Sequence, residues 1–455
     1  MNHLARIVLL PICLVLAGVV HAKTASGWLT TDWEVFCTTA AENELSTAEC
    51  DDLQFAAADD GPHATPASRV REDLEAMSAW LKGLGFSGPK VPSATDSGTT
   101  YYQAWLGTDT DHATGTAWYD GSNLFVKPGY FFAMGENEAA AAEGVFRIGA
   151  PAHELFHAIQ MTDAAAITLA PKYAWITEGM AQSVLYEWLH KAGIAGADFK
   201  YPSREHRHYD IPLHKPHCGV INGERQLGCY ATHCFWTWIG RHIGSRNNIQ
   251  YFQGLLKQDL SADYGLPGVD AGLRQFDPEG LYNLFPEFIA KFANDSHYFE
   301  DVEQQQLAYN PEQETSATAQ ARVEPMAAHA LRVEVPIPAN EAADLKVELT
   351  GEHEDLHLIV DDRRKDRGVT ERNVFRTTLP AGRHELFIRV VNVARAAAHT
   401  QTQDLQLEFS LSPRPTCTFQ AQVDWRGNSM TVKGSAGLYA DELSLYSDDW
   451  RLIVD

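Results

Sequence analysis

The sequence APAHELFHAIQ, residues 150–160, carries the strongest structural signal in this chain of 455 residues. Apolar residues recur in and before it at the spacing of a helix that buries one face: Ile148, Leu155, Phe156 and Ile159. His153 and His157 are four residues apart, and residues four apart share a face of a helix. We therefore expect a helix whose two imidazoles can reach one metal ion, with Glu154 able to address a water on that ion.

A second helical segment, WITEGMA at residues 175–181, follows this motif. Its Glu178 comes 21 positions after His157, which leaves room for one loop and a returning helix that brings a third ligand. Two histidines and one glutamate suit Zn²⁺ and leave its fourth position open for water, as a catalytic site requires. Zinc lowers the pKa of that water, so Glu154 can take its proton during attack on a carbonyl and pass it to the leaving amine.

These residues resemble the gluzincin metallopeptidases. WITEGMA is similar to the W-L-N-E-G-F-A sequence around the third ligand in the aminopeptidase N branch, and thermolysin-like enzymes share the ligand set and a similar spacing. HELFHAIQ followed by an E-G-x-A helix also resembles secreted bacterial proteases of this clan. The resemblance covers roughly residues 99–260. It implies that His153, His157 and Glu178 bind zinc and that Glu154 is the general base.

The same resemblance implies a group that stabilises the oxyanion. Tyr230 lies 52 positions after Glu178, and aminopeptidase N relatives begin a helix with Tyr-x-x-Gly at a similar distance. His233 stands at the glycine position here, so Tyr230 and His233 are both candidates, with Tyr230 preferred. The G-x-M-E-N motif that holds a substrate amine in that branch is matched only in part by residues 133–137. The SNLFV run, residues 122–126, is a candidate edge strand for an extended peptide.

The net charge of the chain indicates which partners to expect, and its N-terminal sequence indicates where the protein is located. There are 60 acidic and 36 basic side chains, a net charge of −24, so the surface repels phosphate and nucleic acid is not an expected partner. Residues 1–22 combine Arg6, an apolar run and small residues before a cleavage site after Ala22, a pattern typical of a signal peptide. We expect a secreted or periplasmic protein with no membrane insertion after cleavage; an uncleaved anchor helix is the alternative.

The cysteines and a histidine-rich stretch leave alternatives open. Export favours disulfides among the six cysteines after residue 22. Cys37 with Cys50, and Cys218 with Cys229, are plausible local pairs, and Cys218 with Cys234 is nearly as good. Residues 200–229 read as a loop rich in histidine, proline and cysteine that could hold a second metal, although its spacing fits no common zinc finger.

The pattern of elements predicts an α+β protein. After the signal peptide, residues 23–98 contain a helix closed by Gly83 or Gly85 and are either separate or part of the catalytic domain. Residues 99–317, strand-like at first and then helical, form the expected zincin-like metallopeptidase domain. Period-two alternation in residues 318–455 predicts an all-β antiparallel sandwich, with the last ~40 residues either part of it or a small separate sheet.

The C-terminal part also carries a resemblance. GEHEDLHLIVDD and LPAGRHELFIRVVN look like the pre-peptidase C-terminal domains of secreted proteases, although Leu356 and His357 stand at acidic-aromatic positions and Leu386-Phe387 replaces a tyrosine. That resemblance implies a role in secretion, substrate docking or adhesion. The sequence as a whole predicts an exported zinc metallopeptidase acting on peptide or protein substrates. The alternatives are a non-catalytic, zinc-stabilised surface or adhesion protein and a zinc hydrolase of a non-peptide amide or ester.

Overall fold

The structure is a computed structural model, and it describes 20 stretches of the chain. They are residues 33–38, 44–45, 67–89, 102–106, 117–119, 124–126, 138–163, 171–192, 209–215, 218–221, 224–299, 302–350, 355–362, 369–371, 373–394, 402–414, 422–426, 429–433, 443–445 and 452–454. The expected signal peptide lies outside the described residues.

Helices and β-sheets both contribute, so the fold class is α+β. The helices are Ala67–Gly83 (α1), Glu138–Asp163 (α2), Ala174–Lys191 (α3), Gly228–Ala231 (α4), His233–His242 (α5), Phe252–Leu256 (α6), Leu266–Leu273 (α7) and Leu281–Lys291 (α8). Among the described residues, no helix is both long enough and apolar enough to cross a membrane.

The strands fall into an N-terminal group, a short central pair and a C-terminal group. The first two groups are Trp33–Thr38 (β1), Glu44–Leu45 (β2), Tyr102–Leu106 (β3), Ala117–Tyr119 (β4), Leu124–Val126 (β5), Cys218–Ile221 (β6) and Glu224–Leu227 (β7). The third group is Val302–Gln306 (β8), Thr315–Val323 (β9), Ala327–Leu349 (β10), Leu356–Asp362 (β11), Val369–Glu371 (β12), Val374–Asn392 (β13), Gln403–Arg414 (β14), Gln422–Arg426 (β15), Ser429–Lys433 (β16), Leu443–Leu445 (β17) and Leu452–Val454 (β18).

The N-terminal strands form one five-stranded sheet beside the helix that carries the HExxH motif. Its order is β2-β1-β3-β5-β4, with β1, β3 and β5 parallel and β4 antiparallel to β5. Helix α1 packs on this sheet, where the Trp33 indole donates to Ser78 Oγ over 2.8 Å. The helix ends at Gly83, and Gly85 takes a φ of +90° that favours glycine. Helix α2 packs against β4 and β5.

The stretch expected to be a loop at residues 200–229 contains regular structure. Strands β6 and β7 pair as an antiparallel hairpin, with Cys218 opposite Leu227, and α4 follows at Gly228. Each strand is only four residues long, CGVI in β6 and ERQL in β7, so any period-two signal is too short to detect. The sequence interpretation of this stretch as a loop was wrong for residues 218–221 and 224–229.

The C-terminal strands β8–β14 form a curled sheet rather than two separate ones. The order is β12-β11-β13-β10-β14-β9, with β8 paired to β10 in parallel. The runs LRVEVPI and LKVEL, expected as two strands, belong to the single strand β10, whose register shifts between Ile337 and Ala342. Pro338 in that interval has no N–H to donate to a neighbouring strand, which explains the shift in register there.

The expected sandwich is therefore seen only in part. The strands and their antiparallel pairing are present, but β10 and β13 run through both halves and keep them in one hydrogen-bonded sheet. Alternate side chains along the sheet meet in one apolar core, which includes Leu331, Val333, Val347, Phe409 and Leu411. Farther on, β15 pairs with β16 and β17 with β18, apart from the seven-stranded sheet.

The other face of the seven-stranded sheet packs on the helices. Ala328, Ile359 and Val391 belong to the same apolar core as Phe285 and Phe288 of α8. The fully buried Arg389 reaches across this contact and donates to the carbonyl oxygens of Ile289 (2.8 Å) and Ala293 (2.9 Å). Arg389 also pairs with Asp361. The helical part and the sheet thus share one interior.

Candidate metal centre

Helix α2 presents the two histidines of the HExxH motif to the interior. The helix continues through Pro151 and buries Leu155, Phe156 and Ile159 on its apolar face. His153 and His157 are each only 5% exposed, and Glu154, one step around the helix, is half-buried. An amphipathic helix that buries two imidazoles must give them polar partners, because an unpaired buried ring nitrogen is costly.

Those partners are each other and Glu178 of α3. His153 Nε2 lies 3.1 Å from Glu178 Oε2 and 3.0 Å from His157 Nε2, and His157 Nε2 lies 3.3 Å from the same Glu178 oxygen. Three ligand atoms thus face a common point. A tetrahedral zinc with bonds of about 2.0–2.1 Å separates its ligands by roughly 3.3 Å, close to this triangle. The buried His153–His157–Glu178 group therefore fits a metal ion.

Close packing between α3 and the start of α5 holds Glu178 in place. A Cβ on Gly179 would lie 2.0 Å from Thr232 Oγ1 and 2.7 Å from Trp236 Nε1, so glycine alone permits this approach. Thr232 Oγ1 and Trp236 Nε1 both donate to the Trp175 carbonyl, over 2.8 and 2.7 Å, and the two indoles stack at 5.2 Å. Gly179, which follows the candidate ligand Glu178 in sequence, is thus required by this packing.

Two buried glutamines lie behind the histidines. Gln160, 1% exposed, places Oε1 2.8 Å from His157 Nδ1 and donates from Nε2 to the Thr177 carbonyl over 3.1 Å. Gln182 of α3 is fully buried, and its side chain acts to raise the pKa of His153. Imidazoles that bind metals ordinarily use one ring nitrogen and hydrogen-bond through the other, as His157 does here.

The three candidate ligands differ in their electrostatics. Burial lowers the pKa of His153, although its hydrogen bond to Glu178 opposes the shift. Burial also acts to lower the pKa of His157, but the charge and hydrogen bond of Glu178 outweigh it and raise the pKa to about 9. The Glu178 carboxyl keeps a pKa well below its usual range because His157 and His153 outweigh its own burial. Without a metal, His157 and Glu178 therefore form an ion pair.

The two candidate oxyanion groups occupy different places. The Tyr230 ring lies 5.7 Å, centroid to centroid, from that of His153. His233 is buried, stacks on Tyr186 at 4.7 Å, and its Nδ1 lies 2.9 Å from the Tyr230 carbonyl oxygen. Burial lowers the pKa of His233 to about 4, so it is neutral and donates that hydrogen bond. The geometry brings Tyr230 beside a candidate ligand and places His233 against the Tyr230 backbone.

Other expectations have mixed outcomes. The SNLFV run was expected at a sheet edge, which was wrong: β5 lies between β3 and β4, because β4 pairs antiparallel with β5 and is outermost among the described strands. The partial amine-binding motif at residues 133–137 lies outside the described residues.

Cys229 is disulfide-bonded and Cys234 carries a free, buried thiol, so pairing of Cys218 with Cys234 is wrong.

The His-rich stretch gives no second metal site among the residues that the structure describes; the His153–His157–Glu178 group is the one found there. His214 is buried and packs edge-on against Tyr264 at 5.1 Å. His206, His208 and His217 lie outside the described side chains. The sequence analysis missed Gln160 and Gln182. Both follow a proposed ligand at helical spacing, Gln160 three residues after His157 and Gln182 four after Glu178, a signal that could have found them.

No protein-family model and no curated protein matches the chain. Distant likenesses exist among solved structures. One is PliG of Aeromonas hydrophila, a periplasmic inhibitor of g-type lysozyme, at 10% identity and a TM-score of 0.18, covering 25% of this chain and 100% of that one. Another is the pre-peptidase C-terminal domain of a Bacillus anthracis collagenase, at 10% identity and a TM-score of 0.17, covering 25% of this chain and 98% of that one.

Proposed function

We propose that this chain is an exported zinc-dependent peptidase that hydrolyses peptide bonds with an activated water. One observation carries the proposal: Nε2 of His153, Nε2 of His157 and a Glu178 oxygen lie 3.0–3.3 Å from one another in a buried site. Two histidines and one carboxylate leave a tetrahedral zinc one open position, which is the arrangement of catalytic rather than structural zinc sites. When bound, zinc supplies Lewis-acid activation of water and of the scissile carbonyl.

Glu154 is the proposed general base and then general acid. It follows ligand His153 on α2, is half-buried, and its charge acts on His157 to raise the pKa of that residue. A carboxylate in this place can accept a proton from the attacking water and return it to the leaving amine. Gln in its place keeps the shape and the polarity but cannot carry a proton.

Tyr230 is the proposed donor to the oxyanion. Its ring neighbours that of His153, and the hydrogen bond from His233 to the Tyr230 carbonyl fixes its backbone. A preorganised O–H aimed at the developing negative charge stabilises the transition state more than the substrate. Export rests on the signal-like residues 1–22, and peptide substrates rest on the resemblance to gluzincins.

The test compares wild type with Glu154→Gln, and uses Glu287→Gln, an exposed helix residue paired with Lys291, as the matched control. Zinc content is measured by mass spectrometry of the purified protein, and cleavage by digestion of a random-peptide library. We expect about one zinc per chain in all three proteins, with cleavage in wild type and Glu287→Gln. Cleavage should fall by roughly 10²–10⁴-fold in Glu154→Gln, the share that general acid–base catalysis contributes.

Other outcomes separate the alternatives. Zinc without cleavage of any peptide in wild type would favour the zinc-stabilised binding protein, and cleavage of ester or amide probes alone would favour a non-peptide hydrolase. Undiminished cleavage by Glu154→Gln would overturn the role of that residue. A protein that binds no zinc would overturn the proposal itself.

A further inference from the structure

We infer that Gln160 is a positioning residue: it fixes His157 in the tautomer whose Nε2 lone pair faces the metal. The inference rests on the proposed metal site and concerns a residue with no direct contact to the candidate metal position. Gln160 lies one helical turn beyond His157 and is 1% exposed. Its side chain contacts His157 Nδ1 and the Thr177 carbonyl oxygen, and these two contacts together determine its orientation.

The hydrogen-bond partners of Gln160 determine which ring nitrogen of His157 carries the hydrogen. The Thr177 carbonyl can only accept, so the Gln160 atom 3.1 Å away must be the amide nitrogen. The amide oxygen is then the atom 2.8 Å from His157 Nδ1, and an amide oxygen can only accept. His157 Nδ1 must therefore carry a hydrogen, and in the neutral ring Nε2 is left as the unprotonated nitrogen.

That nitrogen is the one that faces the other candidate ligands. His157 Nε2 lies 3.0 Å from His153 Nε2 and 3.3 Å from Glu178 Oε2. The opposite tautomer would place a hydrogen at the metal position and leave a lone pair against the Gln160 oxygen. A partner on the second ring nitrogen also raises the basicity of the ligating one and holds the ring plane.

The hydrogen bond to the Thr177 carbonyl fixes the orientation of the Gln160 amide and connects α2 to α3. Thr177 is 2% exposed and immediately precedes the candidate ligand Glu178, so Gln160 ties the two ligand-bearing helices together beside the metal position. Because Thr177 fixes which amide end faces His157, the amide cannot flip to offer its N–H to the ring. One side chain on α2 therefore sets the ligand state of His157 and braces the backbone of α3.

The experiment measures zinc affinity of the full mature chain by competition with a chromophoric chelator. The variants are Gln160→Leu, which removes the acceptor, and Gln160→Glu, which keeps an acceptor for His157 Nδ1 but loses the donor to Thr177. The matched control is Gln258→Leu, since Gln258 donates to a helix carbonyl, that of Gly254, at 3.0 Å. Thermal unfolding in the presence of EDTA checks that each variant folds.

We expect Gln160→Leu to bind zinc about 10–100-fold more weakly than wild type, as for other partners of ligating histidines. Gln160→Glu should recover most of that loss, and Gln258→Leu should match wild type. If Gln160 only tied the two helices together, Gln160→Glu should bind zinc as weakly as Gln160→Leu, because both variants lose the hydrogen bond to the Thr177 carbonyl. Equal affinity of Gln160→Leu and wild type, or no recovery by Gln160→Glu, would overturn the inference.

The two proposals fail in different ways. If wild type binds zinc but cleaves nothing, the peptidase proposal fails and the affinity series still decides the role of Gln160. If wild type cleaves peptides and Gln160→Leu binds zinc normally, only the role of Gln160 is lost. A wild type that binds no zinc overturns both.

Discussion

At the scale of single residues, the candidate ligands His153, His157 and Glu178 form a site that binds a proton. Glu178 raises the pKa of His157 to about 9 against the opposing effect of burial, while burial lowers the pKa of His153. Below pH 9 the His157 ring of the metal-free triad therefore carries a proton on both nitrogens and a positive charge. A metal ion and that proton compete for the same ring, because a ligating imidazole must be neutral.

Zinc binding should therefore release about one proton per chain between pH 7 and pH 8. The apparent zinc affinity should rise by about tenfold per pH unit in this range and level off above pH 9, where His157 is already neutral without zinc. Calorimetric titrations in buffers of different ionisation enthalpy measure the protons released. An affinity that does not change between pH 6 and pH 8 would contradict the ion pair of His157 and Glu178.

The same ion pair makes the metal-free protein less stable at high pH. The folded pKa of His157 lies above its unfolded value of 6.5, so the stabilisation is fully present below pH 6.5 and is lost as the pH rises through about 9. Unfolding in urea with EDTA should show a falling midpoint across this interval. With zinc bound, this pH dependence of the unfolding midpoint should disappear, since the His157 ring is then neutral across the whole interval.

Removal of the Tyr230 hydroxyl tests the oxyanion role. Tyr230→Phe keeps the ring beside His153 and should lower kcat by about 10²–10³-fold with a small change in KM, as expected when an interaction exists mainly in the transition state. Tyr309→Phe is the matched control, because Tyr309 pairs with Glu341 on the C-terminal sheet. A rise in KM alone would indicate that Tyr230 binds substrate instead.

The residue scale is where sequence reasoning reached furthest. The spacing of His153 and His157 is local, so it predicts their shared helix face without knowledge of the fold. Glu178, on the next long helix, lies beside them as its position in the sequence predicted. The positions of Tyr230 and His233 relative to His153 could not be predicted in the same way. Tyr230 and His233 lie on adjacent short helices, and their distances to His153 depend on how α5 packs against Trp175 and Gly179.

At the scale of elements, the contact between α3 and α5 determines whether Glu178 reaches the histidines. Gly179→Ala should destabilise the fold by about 1–3 kcal/mol, because the new methyl would overlap Thr232 Oγ1. Gly83→Ala is the matched control: nothing lies within 4 Å of its Cβ position, and Ala in a helix should stabilise by about 0.5–1 kcal/mol. Urea unfolding of the two variants should therefore shift in opposite directions, and equal shifts would contradict this contact.

The strands show where local patterns stop being informative. The alternation at Leu331–Ile337 and at Leu345–Leu349 correctly predicted extended structure, since each apolar side chain faces the core of the sheet. It could not reveal that both runs belong to β10, because the link between them contains Pro338 and breaks the period. Whether two runs form one bent strand or two depends on the hydrogen-bond partners β13 and β14, which lie far away in sequence.

At the scale of the whole molecule, the seven-stranded sheet and the helices are joined through a buried charge. Arg389, on β13, is fully buried and holds two carbonyl groups at the end of α8, while Asp361 of β11 neutralises it. Carbonyls at a helix C-terminus lack partners within the helix and attract positive charge. The apolar core around this pair contains residues of both parts, so separation would expose it to water.

The two parts should consequently unfold in one transition. Arg389→Leu leaves the Asp361 charge and two carbonyls without their partner and should lower the free energy of unfolding by roughly 3–5 kcal/mol. Arg383→Leu, on the same strand but in a surface pair with Glu334, should change it by less than about 1 kcal/mol. Tryptophan fluorescence follows the helical part, where Trp175 and Trp236 lie, and far-UV circular dichroism follows the sheet as well. Coincident shifts of both signals in Arg389→Leu would show one cooperative unit, whereas an unchanged fluorescence midpoint would mean that the sheet unfolds independently of the helices.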